Sequence, residues 1–581
     1  MNSFAKHVVG LIILLALVSP EALGQQSMAK IDKRKLDEFL SKHDLPKKPG
    51  GALLVIQKGK VAYSKAFGLA SVEQGVRISI ETVFSLDYGE CREFTALTVA
   101  MLAEERILSL DDSVRKFIPE LPEFASPIKL RDLIHNASGL FDYGQQFLLT
   151  GWMLRNPLSD EDFFRLLSRQ RLTAFPAGTD FMYSNTDYAL LAFVVQRATG
   201  KSLRQEADRL LFGPLGMKST HVDDRFGEVA ARRAYEYFEM DGAMMMKRRD
   251  KFSPSGRNGL LTTVGDLAKW AIALDDPTSQ LSRVSLNLRK DAVFDPKRKG
   301  EYNFGNFLKP YRELQTISHQ GVSQSPYLVR LPDKAVSIVY LTNGGLDADE
   351  AMKSTLDRVF FAGPDPAIVP VRATSKQLSE WTSALKSLPN GATVTAEVLR
   401  SIAGGYSQIT GSRGRDFIFE AQGQTLVEIF GDEIEPMVAL GNGVFFHLNY
   451  FLVFENTEPV RLRVFSKTGK LVQEMRRVPS AAWPDVSELR EMVGDYYNYE
   501  LDVTWSLIVS NGKLAVKRER MGNVFLWPST KDSYLLSVIA DPEAYSYDVE
   551  LRINRDSSNQ VIGLSIGSSR LRGGLEFKKA G

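Results

Sequence analysis

Pro49-Gly-Gly-Ala-Leu-Leu-Val-Ile-Gln-Lys-Gly59-Lys-Val-Ala-Tyr-Ser-Lys-Ala-Phe-Gly68 holds two β-rich runs split by a Lys-Gly turn, and it reads as a β-hairpin. Strand-like runs return much later, at Thr316 to Val322, Tyr327 to Arg330 and Val336 to Leu341, the last two separated by the turn sequence Leu-Pro-Asp-Lys. Between these ends the pattern changes period. After Gly89, the residues Phe94, Leu97, Met101 and Leu102 recur at helical spacing with few polar breaks, which predicts a helix buried on most of its surface. Helical sequence mixed with loops continues to about Leu274. Two strands, a helical body and strands again are satisfied by an antiparallel sheet assembled from both ends of the segment, with helices packed on it. This is a mixed α/β (α+β) architecture.

Past Phe361, Pro364, Pro366 and Pro370 lead into a short polar helical stretch, so residues 363–395 read as a linker. From about Glu397 the chain consists of short alternating segments with frequent Gly, Asn and Asp turns, the pattern of all-β barrels. Leu399-Arg-Ser-Ile-Ala-Gly-Gly-Tyr406 and Leu489-Arg-Glu-Met-Val-Gly-Asp-Tyr496 share Leu, Arg, Gly and Tyr at matching places, 90 residues apart. Two copies of one β domain, 396–478 and 479–581, explain the match, with the junction near Pro479 to Pro484.

The 581 residues are 44% hydrophobic and 24% charged, a globular composition with room for several domains. A net charge of +2 supplies no electrostatic footprint for nucleic acid or an anionic membrane surface. The N-terminus carries Lys6, an apolar run from Val8 to Val18, Pro20 and then Ala22-Leu-Gly24. That is the form of a cleaved signal peptide over residues 1–24, because the run is shorter than the ~20 apolar residues a bilayer span needs. A secreted or periplasmic protein with no membrane span is expected. Cys91 is the only cysteine, so no internal disulfide forms, and the six histidines are scattered singly with no spacing that suggests zinc. No motif calls for a metal or other cofactor.

Several segments of residues 25–362 occur in an order that resembles the serine β-lactamase and D,D-peptidase superfamily, in its class C and D-aminopeptidase branch. They are Thr82-Val-Phe84, Phe94-Thr-Ala96, Leu110 to Glu120, Leu133 to Leu140 with Ser138-Gly139, Pro176-Ala-Gly178, Tyr183-Ser-Asn185, Phe212 to Met217 and His319-Gln-Gly321. The second β copy, with its closing Gly573 to Lys578 stretch, resembles the lipocalin-like tail domain of such proteins; the first copy does so less closely. The resemblance implies a β-lactamase-like domain followed by two lipocalin-like barrels.

In an active member, a serine at a helix start attacks an acyl carbon and a lysine one helical turn later manages its proton. Counting back from Phe94, the resemblance puts these roles at Gly89 and Arg92. Counting forward from Phe84 gives Tyr88 and Cys91, so the loop is one residue longer than the pattern. Neither register holds the pair. Glycine offers no nucleophile, and arginine, with a pKa above about 12, cannot serve as a base. Ser85, Cys91 and Tyr88 are the nearby substitutes; each also has a structural role to play, as a strand-end hydroxyl, an inert buried thiol and a pocket-filling ring respectively.

The resemblance assigns the remaining roles to residues that are retained. Tyr183 shares proton transfer, Asn185 contacts substrate, and His319 lines the pocket on the returning strand. Gly321 lets a ligand backbone approach, and the amide of Val322 is one oxyanion donor. Tyr183, Asn185 and His319 should therefore meet Gly89 and Arg92 at one cleft. The expectation is a degenerate member that binds a small peptide-like or acyl ligand. An amide or ester hydrolase using Ser85, Cys91 or a Tyr183-assisted water is the alternative, as is a lipocalin-like carrier acting through the C-terminal domains.

Overall fold

The computed structural model describes residues 31–86, 91–152, 158–224, 228–240, 243–246, 259–290, 302–318, 327–361, 373–388, 391–410, 417–430, 433–448, 450–467, 469, 471–477, 484–510, 512–518, 522–541 and 545–580. The hairpin is present as β1 (Gly51–Gln57) and β2 (Lys60–Phe67). The helical body contributes α1 (Arg92–Glu104), α2 (Tyr143–Leu149), α3 (Asn185–Thr199) and α4 (Val264–Asp275). The returning strands are β3 (Tyr302–Asn303), β4 (Asn306–Tyr311), β5 (Leu314–Ser318), β6 (Tyr327–Leu331) and β7 (Val336–Thr342), and α5 (Ala348–Phe360) follows.

These strands form one sheet in the order β3-β4-β5-β6-β7-β1-β2, with β1 antiparallel to β7 in the register Gly51↔Thr342. The first and last strands of the segment thus lie side by side, which is why the strands had to come from both chain ends. Strand β1 is central and covered on both faces, so its residues form a continuous apolar run rather than an alternation. Ala52, Leu54 and Ile56 join the core of the helical body, whereas Leu53 and Val55 pack with the helix Lys33–Ser41 and α5 on the opposite face. Helix α1 runs through the middle of that body. Its Phe94 ring lies 4.4 Å from Trp270 of α4 and 5.7 Å from Phe212, measured between centroids.

Two all-β units follow. Numbered one to nine along the chain, the described strands of each unit have the same spatial order, 4-3-2-1-9-8-7-6-5, so each is a single nine-stranded sheet curled into a nearly closed barrel. The repeated segment has the same task in both. Leu399 and Leu489 are fully buried in short helices, Ala396–Ile402 and Val486–Met492, that precede each first strand. Gly404 and Gly494 both adopt a φ of +148°, a conformation that disfavours a side chain. The hydroxyls of Tyr406 and Tyr496 then donate to the carbonyls of Ile402 and Met492, at 2.7 and 2.6 Å, closing each helix end. Buried side chains include Tyr406, Phe419 and Met475 in the first barrel and Tyr496, Trp505 and Phe577 in the second.

The barrels attach differently. The core of the second is continuous with that of the helical body. Its Trp505 Nε1 donates to the Leu149 carbonyl at the end of α2, at 3.0 Å, and Arg169 pairs with Asp502 at 2.9 Å. The first barrel has its own core and touches the second through Val427 against Ala515 and Phe525, and through Lys513 paired with Glu420. The helix Ser375–Ser387 lies against the first barrel, where Trp381 packs on Phe451 and Phe465. Among the described residues no helix is long and apolar enough to cross a membrane.

Candidate active site

Helix α1 begins at Arg92, and its side chain is wholly buried. Nη1 donates to Asn136 Oδ1 at 2.9 Å and Nη2 to Asn185 Oδ1 at 2.6 Å. The guanidinium carbon lies 4.0 Å from the Tyr183 ring centroid and 4.6 Å from that of Tyr188. A cation over aromatic faces is attracted by their quadrupoles, and more so when desolvated. Burial works against the charge, the surrounding tyrosines favour it, and the direction of the Arg92 shift is upward, so the guanidinium stays protonated. Burial likewise pushes the phenols of Tyr188 and Tyr302 up, so both stay neutral.

Each amide partner is itself fixed. Asn136 occupies the left-handed region with φ +54°, where asparagine is tolerated, and its Nδ2 donates to the Ser184 carbonyl at 2.9 Å and to Asp187 Oδ2 at 2.8 Å. Asp187 also accepts from Ser138 Oγ at 2.6 Å. Burial drives the Asp187 carboxyl up to about 8, against the opposing pull of those two hydrogen bonds and of Arg92. Asn185 starts α3, and its backbone N–H donates to Asp142 Oδ2 at 2.8 Å. With Oδ1 accepting from Arg92, the Asn185 amide is fixed in orientation, with Nδ2 as its donor end.

The strands close the other side. The Phe304-Gly305 turn between β3 and β4 presses on the start of α1. A Cβ on Gly305, at φ +94°, would stand 2.7 Å from both Arg92 Cβ and Glu93 N. Phe307 on β4 stacks on Tyr183, with centroids 6.5 Å apart and planes at 14°, and its ladder partner is Ser318, the last described residue of β5. His319, Gly321 and Val322 lie outside the described residues, as do Tyr88 and Gly89.

Of the residues expected at one cleft, Arg92, Tyr183 and Asn185 are brought together. The two other substitutes for the nucleophile sit elsewhere. Cys91 is turned into apolar surroundings made by Phe94, Leu203, Ala207, Val222 and Leu260, because consecutive helical residues point about 100° apart. Ser85 is buried in a short strand opposite Leu261.

The family model described as Beta-lactamase matches residues 42–360, more than half of the chain and the whole of the sheet and helical body. The chain belongs to the beta-lactamase family. Among its relatives, the D-aminopeptidase of Brucella melitensis is 22% identical over 563 residues, covering 95% of this chain and 100% of the relative. Penicillin-binding protein 4* of Bacillus subtilis is 26% identical over 407 residues, 65% of this chain and 85% of that one. The solved structure of the octameric penicillin-binding protein homologue from Pyrococcus abyssi superposes with a TM-score of 0.50 at 20% identity, covering 85% of this chain and 100% of that chain. The fold of this beta-lactamase-family member, an antiparallel sheet with helices followed by two barrels, agrees with the expectation from the sequence.

Sequence reasoning did not single out Asn136, Asp187, Tyr188 or Tyr302, all of which surround Arg92. Asn136 lies inside the Leu133 to Leu140 segment that carries the resemblance, and Asp187 and Tyr188 follow Tyr183-Ser-Asn185 on α3. Proximity to those motifs was the available signal. Arg570, from the turn between Val561–Ser568 and Leu571–Lys579 in the second barrel, had none; its guanidinium carbon is 4.7 Å from the Tyr183 ring.

Proposed function

We propose that this beta-lactamase-family protein has lost covalent catalysis and retains a cleft that binds a peptide-like or acyl ligand without cleaving it. The observation that carries the reading is Arg92. Where the resemblance expects a proton-shuttling lysine there is a permanently charged guanidinium with both terminal nitrogens committed to Asn136 and Asn185. It keeps one part of a lysine's work, orienting the Asn185 amide, and cannot perform the other, which is to accept a proton. Gly89, to which the resemblance gives the nucleophile's place, supplies no hydroxyl. Loss of a nucleophile costs on the order of a millionfold in rate, because the members of such a unit act together. The apolar surroundings of Cys91 argue against its taking over, since a thiol needs an electropositive, accessible setting to ionise.

An N-acyl D-alanyl-D-alanine peptide tests the reading. At a hundredfold excess over its Kd, binding should stabilise the protein by about 2.7 kcal/mol, with the peptide recovered unchanged. Release of D-alanine at an enzymatic rate would contradict it. Residues 1–24 are read as a signal peptide, which makes the mature protein secreted or periplasmic. N-terminal sequencing of the exported protein should begin at Gln25, and an intact Met1 on the exported form would contradict export by cleavage.

A further inference from the structure

The two barrels differ at one end of their interiors. In the first, Glu428 of the third strand (Thr425–Phe430), Glu435 of the fourth (Glu433–Pro436) and His447 of the sixth (Val444–His447) come together. His447 Nε2 lies 2.7 Å from Glu428 Oε2 and 3.5 Å from Glu435 Oε2. Each of the three shares the inward face of its strand with a core residue two places away, Leu426, Met437 and Phe445 respectively. Glu428 and His447 are buried, with 1% and 6% of the side chain exposed, whereas Glu435 reaches the rim at 46%.

The second barrel has apolar residues at the same places. Met437 N donates to the Leu426 carbonyl at 3.0 Å as Leu526 N does to that of Leu514 at 2.9 Å, and Glu428 faces Glu435 across the ladder as Val516 faces Val524. His447 follows the Val438↔Phe446 pair as Leu536 follows Trp527↔Leu535. The counterparts of the charged trio are therefore Val516, Val524 and Leu536, all buried in one core. The architecture is satisfied without charge here, and burying charge instead costs desolvation.

The trio sits where the barrel is not closed by backbone. Strands four and five are the free edges of the nine-stranded sheet, with no ladder between them among the described residues. Glu428 and Glu435 come from one edge and its neighbour, His447 from the strand beside the other edge, so their contact spans the seam. At 2.7 Å an imidazole nitrogen and a carboxylate oxygen must share a proton, because two lone pairs at that distance repel. The same inward end also holds Tyr450, the ladder partner of His447, Gln473 on the face of Met475, and Ala439 of strand five. None of these carries positive charge.

We propose that His447 and Glu428, with Glu435 at the rim, form a proton-dependent latch that holds the seam of the first barrel shut, and that the second barrel lacks it. The shut seam binds a proton that an opened, solvated imidazole releases as the pH rises, so closure is favoured at low pH and weakens upward through the range of about 5 to 8 in which imidazoles change charge. Hydrogen exchange on the full-length protein, corrected for the pH dependence of exchange itself, reads this locally. From about pH 5 to about pH 8, protection of residues 425–436 and 444–447 should fall at least tenfold, because one linked proton is worth a factor of ten per pH unit, while the matching residues 513–525 and 533–536 change little. Replacing the trio by its second-barrel counterparts, Glu428→Val with Glu435→Val and His447→Leu, should make the first barrel as insensitive to pH as the second. Glu428→Gln alone, which removes the carboxylate with little change of shape, should flatten most of the response. Equal pH responses of the two barrels in the wild type, or a response that survives in the folded triple variant, would overturn the latch. If the triple variant does not fold, the wild-type comparison and Glu428→Gln still decide.

Discussion

Among the described residues no carboxylate is in hydrogen-bond contact with the buried charge of Arg92, and two amides and two rings hold it in place. Truncating it to alanine would strand the Oδ1 atoms of Asn136 and Asn185, each a buried acceptor whose loss of partner costs about 1–3 kcal/mol. Arg92→Ala should therefore lower the unfolding free energy by about 3 kcal/mol in a urea titration, and a change below about 0.5 kcal/mol would mean the amides find other partners. Asp187 adds a pH signature. Its carboxyl is raised to about 8 in the folded protein, above the usual unfolded value near 4. Between those values the folded state holds the proton more tightly, so this contribution to stability is complete below about pH 4, declines as the pH rises, and levels off above about 8. Asp187→Asn keeps a side-chain oxygen for Asn136 Nδ2 and removes the titration. The variant's Tm should fall less than the wild type's between pH 4 and 8, and parallel curves would show that Asp187 is not the group responsible.

At the scale of elements, the Phe304-Gly305 turn and the start of α1 are in backbone contact, which only a residue without a Cβ permits. Gly305→Ala combines a 2.7 Å clash with a positive φ and should destabilise by about 2–3 kcal/mol, with a larger effect on ligand binding than a comparable change far from α1. In the barrels, Tyr406→Phe and Tyr496→Phe each remove one hydrogen bond to a helix end and should cost about 1 kcal/mol apiece by the same measurement. Elements of this kind were legible because their signals are local. The β1–β2 hairpin showed in its turn, α1 in its apolar spacing, and the repeat in its Leu, Gly and Tyr, each of which has a definite job at the mouth of a barrel. What the sequence could not convey was pairing between distant places. Asn136 reaches Arg92 through a left-handed backbone, and Arg570 reaches Tyr183 from the far end of the chain; neither leaves a periodic trace. Trp381 is the one buried residue of a helix rich in Ser, Lys and Thr, so the helix Ser375–Ser387 reads as a connector although it packs on the first barrel.

Across the whole molecule, the helical body and the second barrel share one core, and the first barrel has a core of its own joined to the second barrel by a smaller contact. Calorimetry should show the shared core melting as one transition and the first barrel as another. Trp505→Ala should lower the first of these by about 3–5 kcal/mol and leave the other in place. A Trp505→Ala shift in both would show a single cooperative unit. The attachment brings Arg570 of the second barrel to 4.7 Å from the Tyr183 ring of the helical body. That leaves the central claim, that the family fold persists here without its covalent chemistry. Intact-mass spectrometry of the wild-type protein after incubation with benzylpenicillin, and separately with a fluorophosphonate probe, tests it most directly. The mass should be unchanged with both reagents, because Gly89 offers no hydroxyl and Arg92 cannot deprotonate one. A stoichiometric acyl or phosphonyl adduct, mapped to Ser85, Cys91 or Tyr88 and lost on its substitution, would contradict it.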